Sequence, residues 1–176
     1  MATKTKLLID ADMMIYLALQ NAETEHDWED GFYTLSASFP DATMSFDSHL
    51  AELVPLVLDH WNIEGEYEII MAMTDLKGNF RKSISPEYKA NRKSKRRPMM
   101  FIPMREWVKE NFKVMMIDNL EADDCSGISA DKNSIMISGD KDFRSIPCRF
   151  YDFLRNEFYD TTKEEAHYFH MYQTLI

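Results

Sequence analysis

Asp10, Asp75, Asp140 and the run Glu121-Ala122-Asp123-Asp124 each follow a short apolar stretch, at residues 7–9, 69–73, 135–137 and 114–117 respectively. Asp142 lies just beyond Asp140. Carboxylates in such places are hard oxygen donors of the kind that hold Mg²⁺. Between residues 77 and 97 stand nine of the chain's 20 bases: Lys77, Arg81, Lys82, Lys89, Arg92, Lys93, Lys95, Arg96 and Arg97. One acid, Glu87, accompanies them, so this window carries +8 and the remainder −18 within a net charge of −10. Salt screens charge beyond about 10 Å, so a polyanion responds to the local cluster more than to the average. The acids repel phosphate unless cations neutralise them. Metal-holding acids beside phosphate-holding bases point to metal-dependent cleavage of nucleic acid.

The elements that must position these residues read as alternating strands and helices. Residues 6–10, 66–74, 113–117 and 134–138 have the apolar character of buried strands, and 149–154 reads as a fifth. Residues 13–20, 45–61, 99–112, 121–130 and 163–175 read as helices. The clearest is 45–61, where Phe46, Leu50, Leu53, Val54, Val57, Leu58 and Trp61 recur at helical spacing. Residues 32–39 alternate loosely, as an edge strand does, and Pro40-Asp41 marks a turn. Asp12 sits where a helix N-cap belongs, a role favoured over a place in the acidic cluster. The basic window has few apolar anchors, with Gly78 and Pro86 breaking its pattern, and reads as a mobile, partly helical excursion. Alternation of this kind gives an α/β fold with a mostly parallel sheet, whose ligands bind beyond the carboxyl ends of the strands.

The 176 residues suit one domain. No apolar run approaches the roughly 20 residues that span a membrane. The N-terminus lacks the features of a signal peptide, which gives the expectation of a cytoplasmic protein, in the host cytoplasm if phage-encoded. Cys125 and Cys148 form no CxxC pattern and read as reduced thiols. His167 and His170 lack a further soft ligand and read as surface or packing residues. The 13 methionines read as core filling, with Met71, Met73, Met115, Met116 and Met136 on strands.

Four blocks carry a more specific signal. They are Leu8-Ile9-Asp10-Ala11-Asp12-Met13-Met14-Ile15-Tyr16; Thr74-Asp75 followed by Asn79-Phe80-Arg81-Lys82 and by Tyr88-Lys89-Ala90-Asn91-Arg92; Leu120-Glu121-Ala122-Asp123-Asp124; and Ile137-Ser138-Gly139-Asp140-Lys141-Asp142-Phe143. In this order, over about residues 7–153, they resemble the flap endonuclease and 5′→3′ exonuclease family, above all the exonucleases of tailed bacteriophages. The resemblance implies a PIN-like, three-layer α/β/α domain and hydrolysis of DNA by two Mg²⁺ or Mn²⁺ ions. It implies that Asp10, Asp75, Glu121 and Asp123 hold one ion. Asp124, Asp140 and Asp142 would serve the second, with Asp123 shared. Lys89 and Arg81 would be catalytic, Lys89 near the scissile phosphate, with Arg81 and Arg92 on neighbouring phosphates. Tyr88 would stack on a terminal base, Lys82 would join the DNA contacts, and Lys93, Lys95, Arg96 and Arg97 would attract the backbone without sequence preference.

The family's pattern continues into a Gly-Asp loop bearing further aspartates and a helix–turn–helix, neither of which this sequence shows. The expectations are therefore a single nuclease domain over residues 1–176 with an arch-like segment at 77–97, an incomplete second metal site, and weak activity unless a separate polypeptide supplies the rest. The substrate would be DNA with a free 5′ end or flap, with RNA–DNA hybrids as a further one. Two other readings compete. One is a DNA-binding or partner-binding remnant without turnover. The other is a haloacid-dehalogenase-like phosphatase built on Asp10-Ala11-Asp12, which gives no reason for the basic window and has Met14 where that family wants Thr or Val.

Overall fold

The computed structural model describes residues 4–90 and 96–174. Its centre is a six-stranded sheet of β1 (Thr5–Asp10), β4 (Tyr67–Ala72), β5 (Val114–Met115), β6 (Ser134–Ser138), β7 (Arg149–Asp152) and β8 (Glu157–Asp160), in the order β5-β4-β1-β6-β7-β8. Five strands are parallel, and β8 returns antiparallel to β7 at one edge. A separate antiparallel hairpin joins β2 (Glu23–Asp27) to β3 (Tyr33–Ala37). The α/β expectation holds, with helices on both faces of the sheet.

The two-residue period of β1 decides which layer each side chain joins. Leu7 and Ile9 face α1 (Ala11–Ala22), α2 (Phe39–His60) and α4 (Phe101–Asn111), where Met14, Ile15, Phe46, Val57, Met104 and Val108 are buried. Leu8 faces the opposite layer, with Met136, Phe143 and Phe150. That side also carries α5 (Ala122–Ser129), which buries Ala122 and Cys125 against Ala72. The remaining helices are α3 (Phe80–Ile84) in the basic window and α6 (Lys163–Thr174) at the end of the chain. Among the described residues no helix is long and apolar enough to cross a membrane.

Several expectations need correction. The long helix begins at Phe39, because Ser38 accepts a hydrogen bond from Asp41 N–H and caps it. Pro40 and Asp41 thus lie in a first helical turn, where the missing proline N–H costs nothing. Residues 32–39 do not edge the main sheet; their strand pairs with β2, whose polar sequence Glu-Thr-Glu-His-Asp hid it. Strand β4 stops at Ala72 and β5 at Met115, leaving Met73 and Met116 outside them, Met73 buried and Met116 43% exposed. β8 went unread as a strand. Asp12 is not the cap of α1. The helix starts directly after β1, so Asp10 takes that place and accepts from Met13 N–H at 3.1 Å. Met71, Met73 and Met136 do fill the core. Both cysteines are free thiols, and His167 and His170 are exposed.

Candidate functional site

Parallel pairing in register brings the carboxyl ends of β1, β4 and β6 together: Asp10 lies opposite Ala72, and Ile9 opposite Ile137. The chain leaving each strand carries an acid. An open cleft of about 630 Å³ lies over this edge, and Asp10, Asp12, Asp123, Asp140, Glu121 and Lys89 are among the residues lining it. Arg96, Arg97, Tyr16, Phe101 and Phe143 complete much of the wall. Asp75, Asp124 and Asp142 stand outside this lining.

Each carboxylate has a distinct environment. Asp10 accepts from Met13 N–H and, at 2.9 Å, from the Ser138 hydroxyl. Burial, helped by the negative charges of Asp12 and Asp123, pushes its carboxyl up to about 7 against those two bonds. Burial likewise raises Asp123, with Asp124 adding repulsion. Asp75 is held below the usual carboxylate range by the N–H groups of Asn119 and Lys77, each at 2.9 Å. Asp140 caps a short 3-10 turn (Lys141–Ser145), accepting from Asp142 N–H at 3.0 Å. Asp142 is exposed and receives the Gln173 side-chain amide.

The basic window folds onto two of these acids. Lys89 Nζ donates to both oxygens of Glu121, at 2.9 and 2.8 Å, while the Tyr88 hydroxyl and the Asn79 amide donate at 3.0 and 2.8 Å. Arg81 grips Asp124 through two bonds at 2.5 and 2.7 Å. Burial works against charge on Glu121 and Asp124, but Lys89 and Arg81 outweigh it and hold both carboxyls below their ordinary values. Asn79 also caps α3 by accepting from Arg81 N–H at 2.9 Å, so one side chain both starts that helix and steadies Glu121. Lys89 adopts the left-handed backbone, with φ of 54°. Lys82 is exposed. Arg96 pairs with Glu23 at the base of the hairpin, and Arg97 stacks over Phe101 at 5.7 Å. Arg92, Lys93 and Lys95 lie outside the described residues.

All the candidate donors are carboxylate oxygens, which suits a hard divalent ion. Asp10, whose carboxyl is raised first by burial and then by like charge, is the kind of group such an ion would relieve. As placed, however, no group of three His, Cys, Asp or Glu side chains among the described residues stands ready to hold an ion. Lys89 and Arg81 are the counter-ions of Glu121 and Asp124 instead.

Sequence reasoning missed Arg105. It is 2% exposed, in the buried stripe Phe101, Met104, Arg105, Val108 of α4. Arg105 pairs with Asp12 and donates to the Thr74 carbonyl at 2.6 Å. A cation on the apolar stripe of an amphipathic helix was the signal that could have exposed it. Asp12 is thereby committed to structure, which removes the second carboxylate that a phosphatase reading needs.

A mostly parallel α/β sheet with acids gathered at its carboxyl edge beneath a cationic arm makes this a PIN-like domain. The chain belongs to the 5′-3′ exonuclease family: residues 5–168 match its N-terminal resolvase-like domain. It is 28% identical over 187 residues to the exodeoxyribonuclease of Enterobacteria phage T3, and 27% identical over 180 residues to the exonuclease of Escherichia phage T7. Each match covers 96% of this chain and 58% of the relative, so the chain spans little more than half the length of these curated relatives. The fold is shared with bacteriophage T5 5′-exonuclease bound to zinc, at a TM-score of 0.53 and 16% identity over 89% of this chain and 58% of that one. It is shared too with the T5 flap endonuclease in a pseudo-enzyme–product complex with DNA and metal ions, at a TM-score of 0.51 and 16% identity over 88% and 57%.

Proposed function

We propose that this chain is the catalytic domain of a divalent-metal-dependent 5′→3′ exonuclease and flap endonuclease that hydrolyses DNA phosphodiesters. One observation carries the reading: acids from three separate segments, at Asp10, at Glu121 and Asp123, and at Asp140, line one cleft at the sheet edge, and the basic window is hydrogen-bonded to Glu121 and Asp124 beside it. Asp10, Asp75, Glu121 and Asp123 would hold a first Mg²⁺ or Mn²⁺, and Asp124, Asp140 and Asp142 a second. Bound there, the ions supply Lewis acidity and neutralise charge on the phosphodiester.

The chain's own residues do the rest. Lys89 and Arg81 exchange their carboxylate partners for phosphate oxygens and offset the charge that grows during hydrolysis. Arg81 presents a planar fork suited to two phosphate oxygens, whereas Lys89 acts as a point charge. Tyr88, released with Lys89, offers a ring on which a terminal base stacks. Lys82, Arg92, Lys93, Lys95, Arg96 and Arg97 add backbone attraction that weakens with salt. RNA–DNA hybrids present the same phosphates and are proposed as a further substrate. The longer relatives carry sequence beyond the matched region, and we propose that such a segment, on the same or a separate polypeptide, strengthens the grip on duplex.

The test is a 5′-labelled flap DNA incubated with Mg²⁺ or Mn²⁺, with EDTA as control. EDTA-sensitive release from the 5′ side is expected, and Asp75→Ala or Asp140→Ala should abolish it while DNA binding persists. Unchanged cleavage by both variants overturns the site assignment. A second reading, DNA binding without turnover, is favoured by the pairing of Glu121 and Asp124 with Lys89 and Arg81; binding without cleavage at any metal concentration would establish it.

A further inference from the structure

The three segments that present the first ion's candidate ligands are joined by a hydrogen-bond network around one buried guanidinium. Arg105 pairs with Asp12, two residues after Asp10. It donates to the carbonyl of Thr74, the residue before Asp75, at 2.6 Å. Thr74 returns its own N–H to Asp12 at 2.8 Å and accepts from Ala122 N–H on its hydroxyl at 3.1 Å. Ala122 stands between Glu121 and Asp123. Thr74 and Ala122 are thus direct chain neighbours of candidate ligands and Asp12 lies two residues from one, and together they join the exit of β1, the exit of β4 and the start of α5.

We propose that Arg105 is the positioning residue of the metal site, fixing the mutual spacing of Asp10, Asp75, Glu121 and Asp123 through Asp12 and Thr74. The proposal rests on the metal-site reading above. A planar, permanently charged fork can bond Asp12 and the Thr74 carbonyl together; an ammonium or a thioether cannot hold both in that geometry. Arg105 also packs beside the Phe101 ring, at 5.7 Å, and Met116 Sδ, at 3.7 Å, which restricts its swing. Like charge pushes the carboxylates apart, and without Arg105 only the β1–β4 pairing and the bonds of Thr74 to Asp12 and Ala122 oppose it. Partners of this outer kind change metal affinity or activity by about 10–100-fold.

The experiment measures Mn²⁺ affinity by titration calorimetry, with cleavage of a 5′-flap DNA alongside. It uses the whole chain and the variants Arg105→Met, Arg105→Lys and Thr74→Val, at a temperature where circular dichroism shows each folded. Arg105→Met should weaken Mn²⁺ binding at least about tenfold and lower kcat with little change in KM for DNA. Arg105→Lys should recover only part of the loss, because it restores charge without the fork. Thr74→Val keeps the Arg105–Asp12 pair but frees the start of α5, so it should weaken Mn²⁺ binding to a lesser degree; it carries the test if Arg105→Met fails to fold. An arginine that only stabilises the fold would lower Tm and leave Mn²⁺ affinity of the folded protein unchanged. That result overturns the proposal. Wild-type Mn²⁺ binding without cleavage would instead sink the nuclease reading and leave the positioning role standing.

Discussion

Asp10→Asn should make the metal-free protein more stable and its metal-bound form less so. In the folded chain, burial and the nearby Asp12 and Asp123 raise the Asp10 carboxyl from 3.8 to about 7. A group whose pKa is raised on folding favours the fold below its unfolded value and loses that contribution as pH rises through the folded one. The loss is therefore complete by about pH 8, and the shift of about three units corresponds to ~4 kcal/mol at full strength. Asp10 is partly exposed by surface area, and water in the cleft screens the charge, leaving roughly 1–2 kcal/mol. Asparagine keeps the cap to Met13 N–H, since Asn and Asp cap helices about equally well. Thermal unfolding in EDTA at pH 8 should show Tm higher by about 2–8 °C for Asp10→Asn, with the gain fading towards pH 4. Added Mg²⁺ should raise Tm of the wild type and have little effect on the variant. A lower Tm for Asp10→Asn in EDTA at pH 8, or equal Mg²⁺ stabilisation of both proteins, would refute the reasoning.

Lys89→Met removes the internal counter-ion of Glu121, so Mn²⁺ binding to the DNA-free protein should tighten about fivefold, the equivalent of ~1 kcal/mol, while flap cleavage slows. Calorimetry and single-turnover kinetics check the two halves, and weaker Mn²⁺ binding would count against the exchange of partners. Gly78→Ala places a Cβ 2.0 Å from Asn119 Oδ1, and Asn119 also supplies an N–H to Asp75. It should cost about 1–3 kcal/mol in urea unfolding; an unchanged midpoint would show that Asn119 moves aside freely. Burial pushes the Cys148 thiol up to about 12 and raises Cys125 as well. Neither should react readily with a thiol reagent at pH 8 in the native protein, whereas both should react in denaturant.

The sheet was legible because β1, β4 and β6 are buried on both faces and read as unbroken apolar runs. The acids at their ends followed from the same pattern. What escaped was set by contacts distant in sequence. Asp12 looks like a cap on local grounds, and only Arg105, brought in by the packing of α4 on α1, shows that it is half of an ion pair. The polar run of β2 has little core to face, since among the described residues β3 is the one strand it pairs with. The basic window reads as a mobile, partly helical excursion; it does carry a helix, α3, but Lys89, Arg81, Tyr88 and Asn79 all return to Glu121 or Asp124. Its few apolar residues gave no hint of that return, because opposite charge holds it in place.

The placement of β1 also bears on how the chain is made. It precedes the other strands of the sheet in the sequence, yet it lies in the middle of the sheet, with Lys6 paired to Glu68 on one side and to Ser134 on the other. At about 5–20 residues per second, the second partner leaves the ribosome on the order of ten seconds after the first strand does. Until then Leu7, Leu8 and Ile9 lack one wall of their cage, and parallel pairing over such a separation is slow. The nascent domain therefore passes through a stage in which the apolar run of its central strand is half-covered, an exposure that favours aggregation. Asp140, which follows β6, joins Asp10 in the lining of the cleft only when that stage ends.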